Sequence, residues 1–116
     1  MEPSILNSIK KMIGPDINYG EYDIDLIIHI NSTLSVLTSL GIGPEEGFII
    51  TDDSSIWTDL ICDSKKLEMV KSYVYMKTKL VFDPPQSSAV IASFEKLIAE
   101  FEWRAKVAAE TTHSKT

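Results

Sequence analysis

The sequence predicts an all-α protein, a bundle of about four helices plus one short helix, with a short extended or β segment near residues 48–51. Two observations lead to this fold class. Apolar residues recur every three or four positions along four stretches, which is the period of a helix with one face in a core. Glycines and prolines, which end helices, separate these stretches. We therefore expect short connections between helices that pack on one another.

The stretch from Lys65 to Phe82 is the predicted central helix. Its apolar side chains form two adjacent rows, Leu67, Val70, Val74 and Val81 in the first, and Met69, Tyr73, Met76 and Leu80 in the second. A helix with two apolar rows packs against at least two neighbours. The helix ends before Asp83 because Pro84 and Pro85 follow.

Two helices are predicted before this one. Ser4 caps the first, residues 5–13, which Gly14 ends. Asp23 caps the second, residues 24–40, and Gly41 follows it. The apolar face of the second helix contains Ile27, Ile30, Leu34 and Leu37, widened by Ile24, Ile28 and Val36. Residues 16–22 between the two helices are predicted to form a loop.

The last helix is predicted to begin at Ser87 or Ser88 and to reach about Ala109. Its expected core-facing stripe contains Val90, Ile91, Phe94, Leu97, Ile98, Phe101, Ala105 and Ala108. Before the central helix, the chain passes from the extended segment through Asp52 and Asp53 into a short helix with Ile56, Trp57, Leu60 and Ile61. We interpret the two aspartates as helix caps rather than as metal ligands or an acid–base pair.

The chain length of 116 residues fits one domain, residues 1–109, followed by a polar tail, residues 110–116, that we expect to be flexible in an isolated subunit. The apolar runs are too short to span a bilayer, and the first residues do not resemble a secretory signal, so we expect an intracellular protein with no membrane partner. The single cysteine, Cys62, is expected to be partly buried.

Charge is unevenly distributed within a formal net charge of −6. Residues 1–64 contain two lysines and eleven acids, whereas residues 65–116 contain nine basic residues and six acids. An acidic protein is repelled by nucleic acid at long range. The asymmetry suits head-to-tail packing of like subunits, and it is also compatible with two solvated surfaces of unequal charge.

Trp103 lies on the side of the last helix opposite Phe94, with Ala99 and Val107 at helical spacing. Large aromatic side chains on an otherwise polar face are enriched at protein interfaces. We therefore predict that Ala99, Trp103 and Val107 contact another subunit. The alternative is that Trp103 packs on a loop of its own chain within residues 41–56.

Catalytic chemistry is not expected, because the sequence contains no nucleophile motif, no metal-ligand spacing and no phosphate-binding loop. His29 has no second ligand at helical spacing, so we interpret it as a partly buried structural histidine. We predict that the protein is not an enzyme and needs no cofactor.

The chain resembles the small head-to-tail connector, or adaptor, proteins of long-tailed bacteriophages and prophages over about residues 5–109. The resemblance lies in an ordered set of segments: Asp25-Leu26-Ile27-Ile28-His29-Ile30-Asn31, Leu40-Gly41-Ile42-Gly43, Gly47-Phe48, Trp57 with Asp59, Val74-Tyr75 with Lys77, Phe82-Asp83-Pro84-Pro85 and Glu102-Trp103-Arg104. Each piece is a structural motif, and their order carries the resemblance.

The resemblance implies a helical subunit of a homo-oligomeric ring of about twelve copies in the virion. The ring would be assembled in the bacterial host cytoplasm and would bind beneath the portal protein at the head–tail junction. It would extend the DNA channel without specific DNA binding and offer a platform to the next connector or the tail. By position, the portal-docking segment is residues 104–116, with Arg104, Lys106, His113 and Lys115 as candidate contacts.

Two other functions remain open from the sequence. Short helices joined by glycine turns also occur in small DNA-binding regulators, although the acidic balance and the apolar central helix disfavour this alternative. Another phage assembly factor, such as a tail-completion protein, is the third possibility.

Overall fold

A computed structural model describes residues 4–14 and 20–114 of the chain, and in this part it is all-α, as predicted. Five helices, α1 to α5, occupy Ile5–Ile13, Asp23–Ser39, Trp57–Leu60, Ser64–Phe82 and Ser88–Ser114, and a 3-10 turn, Gly20–Tyr22, precedes α2. Extensive contacts join α1 with α2, α1 with α4, α2 with α4, and α4 with α5. The central helix α4 thus has three neighbours, in agreement with its two apolar rows.

Three of the predicted helix starts depend on short side chains that accept backbone N–H bonds. The Ser4 hydroxyl accepts from the Asn7 amide at 3.0 Å, and the Ser87 hydroxyl accepts from the Val90 amide at 3.3 Å. The carboxylate of Asp63, which the sequence analysis did not single out, accepts from the first amides of α4. These bonds satisfy donors that have no partner inside the helix.

The prediction that Asp23 caps α2 is wrong. The residue before α2 is Tyr22, which makes no side-chain cap bond, and Asp23 is the first helical residue. Its carboxylate accepts a hydrogen bond from the Lys10 ammonium at 2.8 Å and thereby joins α2 to α1. The Asp23 carboxylate therefore forms an ion pair between α1 and α2 instead of a cap at the start of α2.

The core lies among α1, α2, α4 and the segment that contains α3. Its fully buried large side chains are Trp57, Tyr73, Ile5, Leu6, Ile9, Leu26, Ile30, Leu34, Leu37, Ile50, Val70 and Val74. The buried Trp57 ring donates its Nε1–H to the Ser8 hydroxyl at 3.0 Å, which satisfies its polar atom and fastens α3 to α1.

The segment at residues 48–51 is not a strand, and the described residues contain no strand at all. Ile50 is buried, and the side chain of Asn31 supplies its backbone partners. The Ile50 amide donates to Asn31 Oδ1 at 2.8 Å, and the Asn31 amide group donates to the Ile50 carbonyl at 2.9 Å. One side chain thus supplies the backbone partners that an adjacent strand would otherwise provide.

Asp52 and Asp53 do not cap α3, contrary to the prediction. The Asp52 carboxylate accepts from the amide and hydroxyl of Ser54, and these bonds lower its pKa. The turn is complete before α3 begins at Trp57, where Asp59 accepts instead from the Ile56 amide at 3.1 Å. The aspartates are therefore part of the turn that precedes the helix.

The predicted core stripe of α5 is confirmed in part, because Ile98 belongs to the core and Phe94 and Phe101 pack against it. Ile98 is the one buried apolar residue among the α5 side chains that the structure describes. Ile91, Phe94, Phe101 and Ala105 are half-buried, and Val90, Leu97 and Ala108 are exposed. The helix also continues to Ser114, beyond the expected end at Ala109. The expected flexibility of residues 110–116 stays a prediction.

Other predictions of side-chain burial are also wrong. Ile24 and Ile28, predicted to widen the core face of α2, are 74% and 56% exposed. Each predicted apolar row of the central helix has an exposed member, Val81 in the first row and Met69 in the second. Cys62 is exposed rather than partly buried. His29 is half-buried as expected, with its ring centroid 6.4 Å from that of Phe82.

Candidate subunit-contact and docking surfaces

An aromatic and polar cluster fastens α5 to α4. The rings of Tyr73 and Phe101 stack at 4.5 Å between centroids, and the Tyr73 hydroxyl donates to Glu102 Oε2 at 2.6 Å. Lys77 lies 3.8 Å from the same carboxylate oxygen. Burial of the phenol, together with the Glu102 bond, raises the pKa of Tyr73 above its usual range. The cluster fixes how α5 lies along α4.

Helix α4 contacts both α2 and α5. Phe82, the last residue of α4, makes an edge contact with His29 of α2. Tyr75 lies seven positions before Phe82 and therefore leaves α4 in nearly the same direction, and it contacts Phe94 of α5. The two helices therefore do not lie on strictly opposite sides of α4.

The outer α5 surface, defined as Ala99, Trp103 and Val107, is exposed. Trp103 is 65% exposed and Val107 38% exposed. The alternative that Trp103 packs on residues 41–56 of its own chain does not fit such exposure. Lys96 and Lys106 lie on the same side of the helix, without an ionic partner among the side chains that the structure describes. This surface combines a large aromatic ring with two lysines that have no such partner, and its nearby acid, Glu100, is paired with Arg104.

The four predicted docking residues are only partly described. Arg104 and Lys106 are exposed on α5, and the Arg104 guanidinium pairs with Glu100 at 2.7 Å. His113 lies in the last turn of α5, and its side chain is outside the described part of the structure. Lys115 also lies outside the described residues. The two described side chains, Arg104 and Lys106, are exposed rather than enclosed in a site.

The outer α2 surface, defined as Ile24 and Ile28, was not predicted. These side chains lie one helical turn apart, and Leu26, Ile30 and Leu37, buried in the core, lie on the other side of α2. Glu21 and Asp25 are exposed at the same end of the helix. The sequence contained a signal for this surface, because a full helical wheel places Ile24 and Ile28 opposite the best core row.

Two open clefts lie between α4 and α5. One, of about 270 Å³, continues to Leu40–Ile42 and Ile61, and the other, of about 310 Å³, is bordered by Met76 and Leu97. Met69, Phe101 and Arg104 line both. The lining is mainly apolar, and its charged side chains are Arg104, Lys66 in the first cleft and Glu100 in the second.

No group of three or more histidine, cysteine or carboxylate side chains that could hold a metal occurs within residues 4–14 and 20–114. Among the helices of the same ranges, none combines the length and apolarity needed to cross a bilayer.

Comparison with known proteins identifies the family. A family model described as "Phage connector protein" matches residues 5–112. Neither a curated protein nor a solved structure matches the chain. The match spans all five helices except the last two residues of α5, and so includes both outer surfaces. The chain belongs to the phage connector protein family, and its role is structural.

Proposed function

We propose that the protein is a subunit of a ring at the head–tail junction of the virion. The ring docks on the portal protein, extends the DNA channel and gives the tail or the next connector a surface on which to bind. The observation that carries this proposal is the outer α5 surface. A tryptophan that is 65% exposed, on a helix whose main contacts are with α4, is typical of a surface that another protein covers.

The charge of the chain supports the channel role. A formal net charge of −6 gives DNA little reason to bind, because affinity for DNA depends on basic side chains that neutralise phosphates. A channel lined by such subunits lets DNA pass without holding it. The proposal includes a ring of about twelve copies, the closed symmetry that the family resemblance implies.

The end of α5 supports the docking role. Lys66, at the start of α4, and Ala108 of α5 line the same cleft, so α5 reaches the start of α4 with further turns still to come. The residues after Ala108 thus extend past the helix on which α5 packs. We infer that the portal binds residues 104–116, which include this end of α5. The contacts are Arg104, Lys106, His113 and Lys115.

The test is assembly of the purified protein alone and mixed with the portal ring of the same phage, measured by native mass spectrometry and negative-stain imaging. We expect a closed ring of about twelve copies that binds one face of the portal. A dimer that shifts labelled DNA and ignores the portal would instead indicate a DNA-binding regulator.

Docking is tested separately by ending the chain after Thr112. We expect the shortened protein to retain the ring and lose portal binding, because His113 and Lys115 are removed. The matched control keeps the full length and carries His113→Ser and Lys115→Ser, which separates the loss of charge from the loss of chain. Unchanged portal binding by the shortened protein would contradict the assignment.

A further inference from the structure

We propose that neighbouring subunits meet through two different surfaces: the outer α5 surface of one copy packs on the outer α2 surface of the next. This inference rests on the proposed ring and adds the identity of the two surfaces. The occupant of each exposed face is therefore a second copy of this chain.

Both surfaces expose large apolar side chains that their own chain leaves uncovered. Ile24 and Ile28 are 74% and 56% exposed, and Trp103 and Val107 are 65% and 38% exposed. In each helix these residues lie opposite the face that packs on α4 or the core. Burial of such side chains against each other would remove apolar area from water, which is the main favourable term in association.

The charges around the two apolar patches are complementary. Glu21 and Asp25 are exposed beside Ile24 and Ile28, and Lys96 and Lys106 are exposed beside Trp103. Acids around one apolar patch and lysines around the other favour this pairing and guide its encounter.

Like-with-like pairing is disfavoured by the same charges. Two α5 surfaces face to face would bring lysines against lysines, and two α2 surfaces would bring carboxylates against carboxylates. The two surfaces belong to two different helices of the same subunit. A contact between two different surfaces is head-to-tail, and such a contact generates a ring when its rotation closes.

The experiment uses two variants that each disable one surface. Ile28→Glu places a carboxylate in the apolar centre of the α2 surface, and Trp103→Glu does the same on α5. Each variant retains the other surface intact, and two glutamates repel when the disabled surfaces meet. Val81→Glu is the matched control, because Val81 is 62% exposed on α4 and belongs to neither surface. Circular dichroism verifies the helix content of all three.

Assembly is measured by native mass spectrometry and light scattering under the condition in which the wild type forms rings, alone or on the portal. We expect each variant alone to remain a single subunit, the control to form rings, and an equal mixture of the two variants to form one-to-one pairs that grow no further. Rings from either variant alone, or a homodimer of either, would overturn the assignment of surfaces.

The charge assignment has its own test. Lys96→Glu alone and Asp25→Lys alone are each expected to raise the concentration needed for half-assembly about tenfold or more. The two changes in one chain restore opposite charges at every contact and should recover most of that loss. Absence of recovery contradicts the pairing. A wild type that forms no ring, alone or on its portal, would overturn the proposed function itself, which the variants alone do not test.

Discussion

The two tryptophans of the chain lie in two regions that are built differently. Trp57 is fully buried in the region formed by α1, α2, α3 and α4, where its ring nitrogen has a hydrogen-bond partner. Trp103 is 65% exposed on α5, whose main contacts are with α4. The first region holds the fold together, and the second presents a surface. Apolar side chains therefore have different uses in the two regions.

The largest expected effect on stability is that of Trp57→Ala. Removal of a fully buried aromatic ring should lower the free energy of unfolding by about 3–5 kcal/mol. Urea denaturation monitored by circular dichroism measures it. Trp57→Phe, which retains most of the ring volume but leaves the Ser8 hydroxyl without its donor, should cost clearly less. A small cost for Trp57→Ala would remove the contrast between the two regions.

Asn31→Ala should have the next largest effect. The amide and carbonyl of the buried Ile50 would lose both of their partners, at a cost of about 1–3 kcal/mol. Urea denaturation again gives the value. Ser35→Ala, at an exposed position of the same helix, is the control and should change stability by less than about 0.5 kcal/mol.

Tyr73→Phe tests the joint between the two regions. Loss of the bond to Glu102 should cost about 1 kcal/mol near neutral pH, while the ring stack remains. Because the folded state raises the pKa of Tyr73, it retains the phenol proton at a pH where the unfolded chain, with a pKa of about 10, releases it. The advantage of the wild type over Tyr73→Phe is therefore fully present below pH 10 and falls as the pH rises above it.

Urea titrations of both proteins at pH 8 and at a pH above 10 measure this difference. Comparison with Tyr73→Phe at each pH removes the contribution of the lysines, which titrate in the same range. A difference that stays constant with pH would mean that the Tyr73 proton is not coupled to folding.

Trp103→Ala should have the smallest effect on stability and a large one on assembly. An exposed side chain away from the core contributes within about 0.5 kcal/mol to the unfolding of the subunit. Its loss should weaken assembly and leave the circular dichroism spectrum unchanged. A parallel collapse of the spectrum and of assembly would place Trp103 in the fold, together with Trp57.

The sequence was a good guide to where helices lie. Residues 5–13 form α1 with both predicted ends, and Phe82 ends α4 as its prolines require. These features depend on local backbone chemistry, namely a serine cap, a glycine with positive φ and proline sterics. These helix ends depend on residues next to one another in the sequence, so they could be predicted from it.

Burial was harder to predict, because the periodicity of one helix does not show whether a second helix covers its apolar face. Phe94 and Leu97 belong to one predicted stripe, yet Phe94 is half-buried against Tyr75 while Leu97 is exposed. The same reason explains Ile24 and Ile28. Trp103 was placed on a free face because it lies opposite the stripe, and its exposure agrees with that placement.

The joint between α4 and α5 has a consequence for assembly. Asp83 is followed by Pro84 and Pro85, whose fixed φ angles limit how far the backbone can bend there. In the ring that we propose, any error in the angle between the two helices would be repeated in every copy and would accumulate around the circumference. The two prolines would thus help to set the size of the proposed ring, and a more flexible connection would yield rings of mixed size or open spirals.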